Sequence, residues 1–256
     1  MDASGGARLF EQLLHDGTPI GRFHRYAADP PSAELFEVLG DLDSAVPHIL
    51  AHLAGWNLTT TDDALASALV DRGALPTRHF SLMTVSLDAR DWGAEDNSAL
   101  DGYDVQPLDV TSQIPPGAVD LVRSAYPEGH PDEELGSDED ILRDLQNALA
   151  GLRLGSLMDA SALVFDGERA VGLVLVNRVV GDPPVGGPWV TDLCRLHEPR
   201  YAGLGRALLI RALAVCRAAG EQSVSLAVTE GNSARRLYES LGFTLVATTR
   251  KVRLPG

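Results

Sequence analysis

The run Arg200-Tyr-Ala-Gly203-Leu-Gly205 lies where an apolar strand, Trp189 to Leu196, hands over to an unbroken apolar helix, Gly205 to Ala219. A helix start carries N–H groups without intrahelical partners and a partial positive charge, and two glycines there let an anion approach the backbone. Such a junction restricts the chain to folds that mix strands and helices. A dinucleotide-binding turn is one of these, and it does not fit. It needs a third glycine three positions after the second, where Leu208 stands, and an acidic residue closing the next strand of a repeated βαβ unit. The segment ahead of the junction is rich in hairpin signals instead.

The C-terminal part parses as β-α-α-β-β-β-α-β-α-β. Tyr103 to Leu108 reads as a strand and Pro116 to Tyr126 as a helix. Ser137 to Asp140 is a capping box opening a helix with the stripe Ile141, Leu142, Leu145 and Leu149. Ser161 to Phe165 and Ala170 to Val180 flank an Asp166-Gly167 turn, and a Gly/Pro loop, Gly181 to Pro188, leads to the junction strand. Gly220 stops the long helix, and Val224, Leu226 and Val228 alternate in a strand. Asn232 caps a helix with Ala234, Leu237, Tyr238 and Leu241 on one stripe; Gly242 ends it before a strand from Phe243 to about Leu254. This predicts an α/β (α+β) domain around a central, largely antiparallel sheet.

Two motifs in this order resemble those of the GCN5-related N-acetyltransferase (GNAT) superfamily. Arg200-x-x-Gly203-x-Gly205 matches its (Gln/Arg)-x-x-Gly-x-(Gly/Ala). Asn232-x-Ala234-x-x-Leu237-Tyr238-x-x-Leu241-Gly242-Phe243 matches its second signature with one residue fewer between Asn and Ala. The resemblance covers residues 103–256 as a GNAT domain. It implies acetyl-CoA as co-substrate and a bulge that splays the junction strand from a parallel neighbour into a V-shaped slot. It also implies that the backbone of Tyr201, Ala202, Gly203, Leu204, Gly205 and Arg206 holds the CoA diphosphate, with charge from Arg200 and Arg206. The strand edge at Cys194 and Leu196 would pair with the pantetheine arm, with Asn232 also at the cofactor. One departure is Leu196-His197-Glu198-Pro199, a residue longer than the family's Val-x-Pro.

The N-terminal region, 1–90, contains a possible second copy, non-catalytic and worn down. Placing Gly73 on Gly242 sets Asp63 on Asn232 and Leu69 on Tyr238, against the alternative that helix, glycine and strand simply recur by chance. Residues 91–102, rich in Asp, Asn, Ser and Gly, read as a linker.

The chemistry follows from a thioester donor. A neutral amine attacks the carbonyl, a backbone N–H steadies the oxyanion, and the departing thiolate needs a proton, which the Tyr238 phenol can supply. The amine first has to lose a proton, since an alkyl ammonium titrates near ~10.4. Asp192 and Glu230 are the candidate carboxylates for that step, with His197 as an alternative. Neither Cys sits in a His–Asp arrangement, so transfer is expected to be direct. The expected function is acetyl transfer to a primary amine of a small molecule or peptide. Transfer of another acyl group, transfer to another acceptor, or a non-catalytic acyl-CoA sensor are the alternatives.

Net charge is −15, which argues against nucleic acid as a partner. From Gly186 onward ten Arg or Lys face five Asp or Glu, so this segment is +5 and the rest carries −20. A basic segment suits a polyphosphate. The acidic stretch Glu128, Asp132, Glu133, Glu134, Asp138, Glu139 and Asp140 either draws a cationic amine or is simply solvated. The first eight residues lack a signal-peptide pattern, no apolar run nears the ~20 residues of a membrane span, and a cytoplasmic protein is expected. The seven His never fall at ligand spacing with Cys, so no metal is expected. An exposed apolar face on the N-terminal region would favour a homodimer.

Overall fold

The computed structural model describes residues 10–26, 30–115, 117–133, 136–152, 154–179, 181 and 186–256. Pro116, Glu134, the N-terminal octet and residues 182–185 of the Gly/Pro loop, all used above, lie outside them. In chain order the elements begin with β1 (Phe10–His15), β2 (Thr18–Tyr26), β3 (Ser32–Val38), α1 (Leu42–His52), β4 (Asn57–Thr60), α2 (Asp63–Val70) and β5 (Leu75–Ser86). They continue with β6 (Asp104–Pro107), α3 (Ala118–Ala125), α4 (Asp138–Leu149), β7 (Ser156–Leu157), β8 (Ala162–Asp166), β9 (Arg169–Val179) and β10 (Gly187–Arg195). The last four are α5 (Leu204–Ala218), β11 (Ser223–Thr229), α6 (Ala234–Ser240) and β12 (Thr244–Arg253). No helix among the described residues is long and apolar enough to cross a membrane.

The chain forms two compact units. One is Met83–Thr244; the other comprises the described residues up to Leu82 together with Leu245–Gly256. The division expected at 91–102 therefore falls elsewhere, inside β5 and β12. Residues 91–102 are not a linker. Trp92 is buried, its indole N–H donates to the Leu87 carbonyl at 3.1 Å, and Ser98–Leu100 form a 3-10 turn. Asp, Asn, Ser and Gly in this stretch report tight turns, which a packed segment needs as much as a linker does.

In the unit Met83–Thr244 the strands run β5 (its last residues), β11, β10, β9, β8, β6, with β7 on β9. β8, β9 and β10 pair antiparallel, and the Gly167 turn closes the first hairpin. β10 pairs with β11 in parallel at only two positions, Trp189↔Ser225 and Val190↔Leu226. Directly after Val190 the register of β10 on β9 slips, leaving Thr191 as an extra residue. A bulge bends its strand and sharpens the local twist, so here β10 leaves β11 and opens the expected slot.

Buried polar contacts fix that bulge. The Thr191 hydroxyl donates to Asn177 Oδ1 at 2.7 Å, and Asn177 Nδ2 donates to the carbonyls of Ala148 and Gly155 at 2.8 and 2.9 Å. The capping box at α4 forms as read, Ser137 and Asp140 bonding reciprocally. α5 is apolar on most of its surface, burying Leu204, Leu208, Leu209 and Leu213 among others. It ends where Gly220 takes φ +86° and the Glu221 amide reaches back to the Cys216 carbonyl at 3.1 Å.

The second unit has its own core, with Phe36, Ile49, Leu58, Leu65 and Leu69 at its centre, and the strand order β1-β2-β3-β4-β12-β5. Its β1, β2 and β3 are antiparallel, α1 follows, and β4 pairs in parallel with β3 at two positions, Ser32↔Asn57 and Ala33↔Leu58. α2 and β5 complete the series. The cap of α2 is Asp62, whose side chain accepts from the amides of Ala64 and Leu65. The Asn232 side chain accepts from Ala234 N in the same i+2 pattern. The counterpart of Asn232 by cap bond is therefore Asp62, one residue from the Asp63 of the glycine alignment, because the stretch to Gly73 is one residue longer.

Candidate active site

The start of α5 is built as an anion cradle. Gly203, its N-cap, has φ +86°, a left-handed conformation that a side chain would strain. No side chain caps the helix, so the first-turn amides of Leu204, Gly205 and Arg206 point outward without an intrahelical acceptor. A Cβ on Gly205 would meet nothing within 4 Å, which leaves room for a ligand against the backbone. This donor set fits a diphosphate.

Both arginines pair with nearby carboxylates: Arg200 lies 3.1 Å from Glu198 and 3.2 Å from Asp166, and Arg206 lies 3.6 Å from Glu95, a residue of the segment read as a linker. Tyr201 turns into the core, its hydroxyl donating to Asp166 at 2.9 Å, while Ala202 leads into Gly203.

The strand edge is corrected by one residue. The Leu196 amide donates to the Val171 carbonyl at 3.0 Å, so Leu196 faces β9. Along an antiparallel strand the hydrogen-bonding direction alternates, and Cys194 faces β9 as well. Leu193 and Arg195 thus turn their backbone toward the slot, where Cys194 and Leu196 were expected. The bulge at Thr191 shifts the parity, and alternation in the sequence carries no trace of it.

Tyr238, on α6, is buried to 7% exposure and packs at 5.8 Å between ring centroids against Phe243. Burial first, then the charges of Asp192 and Asp132, push its phenol well above the ordinary tyrosine range. It therefore stays protonated at neutral pH. Asp192 stands first after the bulge and accepts a hydrogen bond from the Tyr126 hydroxyl at 2.8 Å. Glu230 is exposed, one residue past β11. The carboxylate that occupies that end of the slot is Asp132, from the acidic loop after α3. It accepts from the Thr229 hydroxyl and from Asn232 Nδ2, the latter at 2.9 Å.

Asn232 gives Oδ1 to Ala234 N and Nδ2 to Asp132, so its side chain holds the helix start and the loop together. His197 is exposed; partial burial, then the positive charge of Arg195, lower its pKa and keep it neutral. Cys194 and Cys216 are buried, and burial raises both thiols, Cys216 to about 12. Tyr126 escaped sequence reasoning because it belongs to no motif, and Asp132 reads there only as one member of the acidic stretch, with no partner assigned. Asp132 lies 97 and 100 positions from the two residues it joins.

The fold sets a splayed strand beside an uncapped helix start, and residues 117–243 match the Acetyltransferase (GNAT) family. Residues 117–243 are thus a domain of the GNAT family. A stretch of 64 residues is 48% identical to a mycothiol acetyltransferase of Thermobispora bispora. It covers 25% of this chain and about a fifth of that protein, 21% of its length. Among solved structures, a GCN5-related N-acetyltransferase from Sphaerobacter thermophilus is similar at TM-score 0.61 and 16% identity, over 93% of this chain and 77% of that one. A tandem GNAT protein from the clavulanic acid biosynthesis pathway is similar at TM-score 0.55 and 14% identity, over 95% and 82%. At these identities the two structures speak for the fold.

Proposed function

We propose that this protein transfers an acetyl group from acetyl-CoA directly to a primary amine. One observation carries the reading: β10 and β11 part immediately after the Thr191 bulge, with Asp192 at that opening and its charge acting on Tyr238. Acetyl-CoA supplies the thioester. The amides of Leu204, Gly205 and Arg206 bind its diphosphate, and the backbone edge at Leu193 and Arg195 pairs with the pantetheine arm. Asp192 takes a proton from the acceptor ammonium, freeing the nitrogen lone pair. As the carbon–nitrogen bond forms, the Leu193 amide donates to the carbonyl oxygen. Tyr238 then gives its proton to the sulfur as the carbon–sulfur bond breaks, and the second proton, shed by the nitrogen as the amide forms, returns through solvent to restore the Tyr238 phenol.

The acceptor lies on the side of Asp132, Tyr126 and His130. A relative named for mycothiol acetylation favours a small molecule over a protein. The unit formed by β1 to β5 and β12 is a degenerate GNAT-like copy that packs and does not catalyse. Its own β3-to-α1 connection spans only Leu39 to Asp41, and the Asp41 carboxylate accepts from Ser44 N at the helix start, where a phosphate would have to sit. The Leu35 amide, beside its parallel pairing, is taken by the Thr59 hydroxyl at 2.8 Å.

Thiol release from acetyl-CoA across a panel of primary amines tests the reading. Tyr238→Phe should lower kcat about 100- to 1,000-fold, in the range general acids contribute, with CoA affinity within about twofold of wild type. CoA binding without thiol release for any amine is the result expected of a sensor and refutes the transferase.

A further inference from the structure

Tyr126 lies outside every motif, yet the structure sets it against the group proposed as the base. It follows the last residue of α3, and its hydroxyl donates to Asp192 Oδ1 at 2.8 Å. Its ring is braced edge-on by His130, 5.1 Å between centroids at 74°. His130 is itself fixed, its Nδ1 accepting the Asp132 amide at 3.0 Å, and Asp132 is bonded to Thr229 and Asn232 at the far end of the slot. A contiguous wall therefore runs from the bulged strand through α3 and its following loop to the start of α6.

We propose that Tyr126 is a positioning residue for acyl transfer, fixing one oxygen of the Asp192 carboxylate and thereby the direction in which the other meets the acceptor nitrogen. The inference rests on the reading of Asp192 as base. An aspartate on a strand turns about two side-chain torsions, and a base has to lie within about 3 Å of the proton it removes. A tyrosine offers a rigid arm with a donor at fixed reach. Burial, then the charge of Asp192, raise the Tyr126 phenol well above its ordinary range, so it remains a donor throughout the working pH. In the proton step an ammonium N–H bond breaks and an O–H bond forms on Asp192, and Tyr126 keeps its own hydrogen. Its bond favours the ionised carboxylate, so losing it raises the pH at which Asp192 becomes competent.

The test uses the full chain with acetyl-CoA and three acceptors: spermidine, glucosamine and a lysine-containing peptide. Wild type, Tyr126→Phe, Asp192→Asn and the double variant are compared on whichever acceptor is turned over. Tyr126→Phe should lower kcat/KM for the amine about 10- to 50-fold, with KM for acetyl-CoA unchanged, and move the acid limb of the profile up by about one pH unit. In the Asp192→Asn background the same change should cost less than about twofold. Independent, multiplying losses, or an unmoved acid limb, overturn the proposal while leaving Asp192 as base. A wild-type rate in Asp192→Asn overturns the base itself. A readout that needs no acceptor is the 13C carboxyl titration of Asp192, assigned with Asp192→Asn. Its midpoint should rise in Tyr126→Phe, and equal midpoints refute the proposal.

Discussion

Gly205→Asp should make the free protein more stable and its binding of CoA much weaker. Gly205 is the second residue of α5, and its absent Cβ faces open space. Any side chain there removes the entropic cost of glycine in a helix, about 0.5–1 kcal/mol. An acidic one also complements the helix start, by about 0.3–1 kcal/mol. A gain of about 1 kcal/mol corresponds to a rise in Tm of about 2–4 °C for a unit of this size. The same carboxylate would stand about 5 Å from a phosphate on the first-turn amides. At an effective dielectric of ~20 that repulsion is about 3 kcal/mol, on the order of 100-fold in Kd before salt screening. Gly205→Ala, the size the family motif tolerates, is the control and should bind CoA as wild type does. The assays are thermal unfolding without ligand and calorimetric titration with CoA at low and physiological salt. A wild-type Kd for Gly205→Asp would refute the cradle; a lowered Tm would refute the open environment of Gly205.

Asn177→Leu, which keeps the branched shape and removes three hydrogen bonds of a buried side chain, should cost about 3–5 kcal/mol in urea unfolding. A loss under about 1 kcal/mol would show that the bulge does not depend on Asn177. Both cysteines should resist Ellman's reagent in the native protein and react on unfolding, since each is buried with its thiol pushed up. Fast labelling of either in the folded state contradicts that packing, and slow labelling removes protein background from the thiol-release assay.

The sequence alone was enough for whatever depends on a few neighbouring residues. Gly203 and Gly220 mark a helix start and stop because only glycine takes those φ values without strain. Ser137 and Asp140 announce the start of α4 because the capping box closes within four residues, and the Gly167 turn marks its hairpin for the same local reason. Apart from the two-residue β7, which carries no pattern of its own, the order of elements from β6 to β12 and the two family motifs were legible on this footing.

Tertiary structure decided the rest. The extra residue at Thr191 reverses which backbone groups of β10 face the slot, so Leu193 and Arg195 replace Cys194 and Leu196. A bulge held by a buried asparagine on another strand leaves no local pattern. Asp132 meets Thr229 and Asn232 only because the loop after α3 folds onto the end of β11. The units divide inside β5 and β12, because strand pairing between residues some 170 positions apart, as at Thr77 and Lys251, depends on which edges are open in the folded chain. Local propensity sets where an element begins and ends; which edge it joins, and which of its groups face a site, is set by long-range pairing and packing.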